Sequence, residues 1–314
     1  TCMAEDSRST DHMRLLPGEA TGTIARLELL ARGLVEGFIA GRHRSPHKGF
    51  SVEFAEHRQY VPGDDLRGLD WRVLGRTDRY YVKQYVEETN MRATIIVDAS
   101  GSMRYAGNEA ARLDGKPATK FQYAQYLAAS LAYLLINQQD AVGLVTFDRE
   151  IRRYLPARSR RSQVRMILEE LSATEPGGET GLAEILHDIA ERIHRRGMVI
   201  IISDLFDNAE EITKALHHFH YRKHEVIVLH VMAEEELNFP FQSFTHFRDL
   251  EEVYDTQQID PHALRRLYLQ RVAEFVDTIE EGCGQMKADY VPLSTKAGFD
   301  QALSDYLSRR RHGR

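Results

Sequence analysis

Cysteine is almost missing from this chain, with Cys2 and Cys283 standing near opposite ends of 314 residues. That excludes a disulfide framework and a cysteine-built zinc site, and it predicts a reducing, cytoplasmic compartment. Long apolar runs are missing too. The most buried-looking stretches, around Thr94–Val97 and Met198–Ile202, have strand length, far below the ~20 apolar residues that cross a bilayer. No integral membrane segment is expected, and residues Thr1–Asp6 lack the basic and apolar regions of a signal peptide. There is no surplus of positive charge. With 41 Lys+Arg against 47 Asp+Glu the formal charge is −6, so nothing global draws the chain to nucleic acid. The phosphate loop G-x-x-x-x-G-K-[ST], G-x-G-x-x-G, the G-x-S-x-G elbow and H-E-x-x-H are all absent. The chain is therefore not itself an ATPase of the phosphate-loop type.

What remains is an ordinary globular composition, 42% hydrophobic and 28% charged, which excludes disordered, collagenous and coiled-coil proteins. At roughly 100–200 residues per domain the length admits two domains, or one elaborated domain. From Arg92 onward short β-branched runs alternate with helical periodicities, which predicts an α/β fold with a mainly parallel, doubly wound six-stranded sheet. Thr94–Val97, Val142–Phe147, Met198–Ile202 and Val226–Val231 read as buried strands. Ile151–Leu155 alternates apolar and charged as an antiparallel edge strand does, and Pro292 places Tyr290–Leu293 at the other edge. Helices are expected after Thr119, over Arg161–Leu171 and Leu182–Arg195, after Asn208, after Asp260-Pro261 and over Phe299–Leu307. Residues 1–25 read as an extended or disordered start and 26–91 as a small α+β subdomain. In that part, Leu27–Ala40 is helical and Ser51–Tyr60 and Arg79–Glu87 alternate as strands; residues 92–311 form the α/β domain.

The chemistry gathers at strand ends. Asp98, Ser100 and Ser102 follow the first α/β strand at alternate positions, which in an extended loop project to one side. A carboxylate and two hydroxyls make a hard, oxygen-only set, suited to Mg²⁺, Mn²⁺ or Ca²⁺. Ser203-Asp204 follows another buried strand. With strand order 3-2-1-4-5-6, Asp98 and Asp204 face one another at the switch point where such sheets bind ligands. Thr180, in the Gly177–Gly181 loop, adds a hydroxyl from above, and Asp207 is the alternative to Asp204. Two facing carboxylates without a cation repel and raise one another's pKa.

Asp98-x-Ser100-x-Ser102 with Thr180 and Asp204 resembles the metal-ion-dependent adhesion site of von Willebrand factor A domains. The resemblance implies that these five residues hold one divalent cation whose coordination is completed by an acidic side chain of a partner. The segment Tyr60-Val61-Pro62-Gly63-Asp64-Asp65-Leu66-Arg67-Gly68-Leu69-Asp70-Trp71-Arg72, followed by Thr77-Asp78-Arg79 and Tyr81-Val82-Lys83, is similar to the signature of the bacterial domain-of-unknown-function family fifty-eight. That family sets such a segment ahead of a von Willebrand A-like domain and is often encoded beside MoxR-type AAA+ ATPases. The resemblance implies a metal-dependent interaction module working with such an ATPase. Two other readings stand beside it: a Mg²⁺-dependent phosphoester hydrolase using the same site, and an adaptor whose site stays empty. Against hydrolysis, the Asp98 loop lacks a D-x-D start and no positioned lysine follows Asp204. The histidines His217, His218, His220 and His224 are expected on a solvated helix surface.

Overall fold

Strands without polar alternation become the centre of one sheet. In the computed structural model the described residues are 24–32, 35, 54–59, 73, 75–76, 79–85, 91–113, 115–178, 181–241, 245–248, 256–259 and 261–298. Strands β1 (Phe54–Gln59) and β2 (Tyr81–Tyr85) pair antiparallel, where the two alternating runs of the N-terminal part were expected. The main sheet contains β3 (Arg92–Asp98), β4 (Ala141–Phe147), β5 (Ile151–Arg158), β6 (Met198–Ser203), β7 (Glu225–Met232) and β8 (Asp289–Ser294). Their spatial order is β8-β7-β6-β3-β4-β5, which is 3-2-1-4-5-6 counted along these six. All pairings are parallel except β4 with β5. The fold class is thus the doubly wound α/β arrangement expected from the sequence.

Both faces of the sheet are apolar because alternate side chains point to opposite faces and each face meets helices. Ile95, Val97, Leu144, Ile200 and Leu229 pack with α1 (Lys120–Asn137) and α2 (Ser162–Ala173). Leu27 and Ala31, in the helical residues 24–32, join the same cluster. Ile96, Val145, Val199, Ile201 and Val228 pack on the other face with α3 (Leu182–Arg192), α4 (Ala209–Tyr221) and α6 (Pro261–Gln285). A short helix α5 (Glu234–Asn238) follows β7. Thr119 caps α1 in a reciprocal capping box with Gln122, and Asn208 accepts from the first free amides of α4. Cys283 is buried in the second cluster as a free thiol, pushed up to about 12 by burial.

Edges behave as composition demands. Pro292 lies on edge strand β8 opposite His230, where a missing donor is tolerated. The β4–β5 ladder slips in register between Val142 and Leu144, and there Gly143 lets β5 approach: a Cβ would stand 2.6 Å from the Leu155 carbonyl oxygen. Gly143→Ala is therefore expected to cost about 1–3 kcal/mol through overpacking, read as a lowered urea midpoint; an unchanged midpoint would contradict this close approach. Among the described residues no helix is long and apolar enough to cross a membrane. Asp260, the Pro62–Asp65 turn, Trp71, the Gly41–Gly49 connector and Phe299–Leu307 lie outside the described residues.

Candidate functional site

The carboxyl ends of β3 and β6 lie side by side, with Val97 paired to Ile202. The strand order reverses there, so a crevice opens where neighbouring connections leave in opposite directions. Asp98 ends β3 and is 1% exposed. Its Oδ1 accepts from the Ser100 amide at 2.9 Å and its Oδ2 from the Ser203 hydroxyl at 2.6 Å. The extended loop expected after Asp98 is instead a 3-10 turn over Gly101–Arg104, with Ser100 extended just before it. This turn brings the Ser100 and Ser102 hydroxyls to 3.0 Å, both buried.

Asp204 follows β6 and is buried, and the Ser102 hydroxyl is among the groups that hold its pKa down. The hydroxyl of Ser100 lowers the pKa of Asp98 as that of Ser102 lowers the pKa of Asp204, so the hydroxyl pair lies beside both carboxylates. Thr180 lies outside the described residues. Its loop nevertheless reaches the crevice: the Gly101 amide donates to the Gly178 carbonyl at 2.9 Å, and the Gly177 amide to the Ala99 carbonyl at 2.8 Å. Arg152 holds that loop by donating to Asp148 and to the carbonyls of Glu175 and Gly177. Asp207, the alternative to Asp204, is committed elsewhere, accepting from the Ala183 amide at the start of α3 and from the Asn208 amide.

Sequence reasoning missed Lys120. This first residue of α1 is 2% exposed, and its Nζ stands 2.7 Å from both Asp204 Oδ2 and Glu236 Oε1. Burial favours the neutral amine, but the two carboxylates outweigh it and raise its pKa above the ordinary value. Burial likewise pushes Asp204 upward, yet the Lys120 ammonium holds it below the usual range. Asp98 receives no such help. Burial, then the Asp204 carboxylate, raises it to about 7, and among the described residues no Lys, Arg or His forms an ion pair with it.

His230 is a second group that pattern reading passed over, because it sits inside an apolar strand. Its Nε2 contacts the Asp204 carbonyl at 2.9 Å and its Nδ1 the Tyr290 hydroxyl at 2.7 Å. A carbonyl only accepts, so Nε2 carries the proton and Nδ1 accepts from Tyr290. Burial pushes this imidazole down to about 4, keeping it neutral. The pair fixes the backbone at Asp204. Of the other histidines, His217 and His220 are exposed as expected, whereas His218 is half-buried and His224, between the end of α4 and β7, is buried.

Among the described residues no three His, Cys, Asp or Glu side chains form a metal-holding group. Any cation here depends on hydroxyls, which is the donor chemistry of hard ions. The residues fit such an ion, because Asp98 is a buried acid lacking a counter-charge and buried charges are otherwise paired.

A family profile described as "Protein of unknown function DUF58" matches residues 56–275. The chain belongs to the DUF58 family. Relatives of this DUF58 protein include uncharacterized proteins of Mycobacterium tuberculosis and Mycobacterium bovis. Each is 27% identical over 297 residues, spanning 91% of this chain and 88% of the relative. Among solved structures, the conserved hypothetical protein BatB from Bacteroides thetaiotaomicron aligns at TM-score 0.46 and 18% identity, over 70% of this DUF58 chain and 98% of that one. The VWA domain of SpRpn10 aligns at TM-score 0.37 and 11% identity, over 70% and 95%. These likenesses are too loose to add to the topology described above.

Proposed function

We propose that this DUF58 protein is a divalent-cation-dependent protein-binding module. In this reading Asp98, Ser100, Ser102, Thr180 and Asp204 hold Mg²⁺, with Mn²⁺ or Ca²⁺ as substitutes, and an Asp or Glu of a partner protein completes the coordination. The observation that carries the reading is Asp98 itself, buried beside a second carboxylate and buried hydroxyls with no ion-pair partner among the described residues. The bound cation would supply the positive charge that this carboxylate lacks and a binding position for an incoming one. Ser203 and the Ser100 amide orient Asp98, and His230 fixes the backbone that presents Asp204.

Lys120 weighs against the hydrolase alternative. A lysine that steadies a transferring phosphoryl group faces the substrate, whereas this one is buried and gives two of its three ammonium donors to Asp204 and Glu236. From the family resemblance we take the partner to be a MoxR-type AAA+ ATPase. The intact chain, used as bait against the purified ATPase, is expected to retain it in Mg²⁺ and release it in EDTA, and Asp98→Ala is expected to lose it. Retention unchanged by EDTA would contradict the proposal.

A further inference from the structure

A cavity of about 390 Å³ opens beside the crevice, between the turn that follows β6 and one face of α6. Its surface is mainly apolar, with Phe206 from the turn and Val272 and Phe275 from α6, and the charged side chains of Asp204, Glu236 and Arg271 line it as well. Pockets of this size with apolar walls and few polar groups are the usual form of a binding site.

The turn joining the two sites is built for display. Leu205 has a left-handed backbone at φ +54, a conformation that is strained for a side-chain-bearing residue. The Leu205 amide donates to Ser203 Oγ, and the same hydroxyl donates to Asp98. The strained residue is itself fully buried, while the next one, Phe206, is 70% exposed. The turn thus sets a large aromatic ring in solvent at the rim of the cavity, next to a residue whose backbone strain is the kind retained beside functional sites. The floor is rigid, since His230 is fixed between Tyr290 and the Asp204 carbonyl.

We infer that this cavity is a second recognition subsite, which takes a large apolar side chain of the partner whose acidic residue reaches the crevice. The inference rests on the cation-dependent reading proposed above and names the partner's motif. Asp204 and Phe206 are two residues apart, a span of at most about 7 Å. The partner's acidic and apolar residues therefore lie within about three positions of each other, the acid on the cation and the Leu, Met, Phe or Trp against Phe206 and Val272.

The test pans a random dodecapeptide library displayed on phage against the intact chain in Mg²⁺. The selected peptides are expected to carry Asp or Glu with a large apolar residue within three positions. A synthetic selected peptide should then bind at least about tenfold more weakly to Val272→Trp, which fills the cavity, and to Phe206→Ala, an exposed position where folding is not at stake. Replacing the peptide's apolar residue by Ala should cause the same loss, with no further loss on the Val272→Trp protein. Peptides with an acid but no apolar preference, or affinities unchanged in both variants, would overturn the subsite and leave the cation reading standing. Peptides that need the cavity but bind equally in EDTA and to Asp98→Ala would overturn the cation reading and with it the shared motif. Failure of any peptide to be enriched over a protein-free control counts against the subsite.

Discussion

Lys120→Met is expected to lower the folding stability by about 3–5 kcal/mol, the usual cost of removing one member of a buried ion pair. The methionine keeps most of the aliphatic stem, so the loss is one of charge rather than volume. Asp204, which is 4% exposed at its side chain, would then be left with the Asp98 carboxyl as its charged neighbour. Glu236 keeps its bond from the Ala233 amide but loses its cation, and at 31% exposure it regains some water. Most of the cost therefore belongs to Asp204. Combining Lys120→Met with Asp204→Asn should cost less than the sum of the two single changes by about 1–3 kcal/mol, measured by urea denaturation. Additive effects would mean that the pair is not coupled.

The second large effect is in the pH dependence of the cation-free protein. Asp98 rises from an ordinary 3.8 to about 7. The folded state therefore holds a proton that the unfolded chain has already released, and the stability this confers is present below about pH 4 and lost as pH rises through 7. His230 falls from 6.5 to about 4. Its neutral form is folded at no cost above pH 6.5, and stability is lost as pH falls from there to 4. His218 and His224, both lowered first by burial, add to the second trend. The two trends oppose one another across one window, so the wild-type profile hides both. Asp98→Asn removes the first, and its stability in EDTA is expected to climb relative to wild type between about pH 4 and pH 7, by on the order of 3–4 kcal/mol. A constant difference between the two proteins across that range would contradict the burial of an uncompensated Asp98.

Much of this was legible in the sequence, for a physical reason that can be named. β3, β4, β6 and β7 are short runs buried on both faces, and only a parallel sheet covered twice by helices uses such runs. The charged alternation of Ile151–Leu155 and the proline of β8 marked the two edges. Once the strand order followed, Asp98 and Asp204 had to meet. What the sequence could not reveal depends on how helices lie across strands. Lys120 directly follows a helix cap, a place where lysine is ordinarily solvated, and it becomes buried only because the start of α1 lies against the end of β6 and the α5 acid Glu236. His230 reads as one polar residue in a strand until Tyr290 of β8 is set beside it by the sheet register. The 3-10 turn after Asp98 left no signal in the spacing of its serines.

The central claim is that the crevice binds one hard divalent cation through Asp98. Isothermal titration of Mg²⁺ into the intact chain, at a pH about one unit above 7 where Asp98 is ionised, tests it most directly. One equivalent is predicted to bind, with Ser100→Ala and Ser102→Ala weakening the interaction and Asp98→Ala abolishing it. Absence of saturable binding by Mg²⁺, Mn²⁺ and Ca²⁺ alike, or binding that survives Asp98→Ala undiminished, would contradict the account.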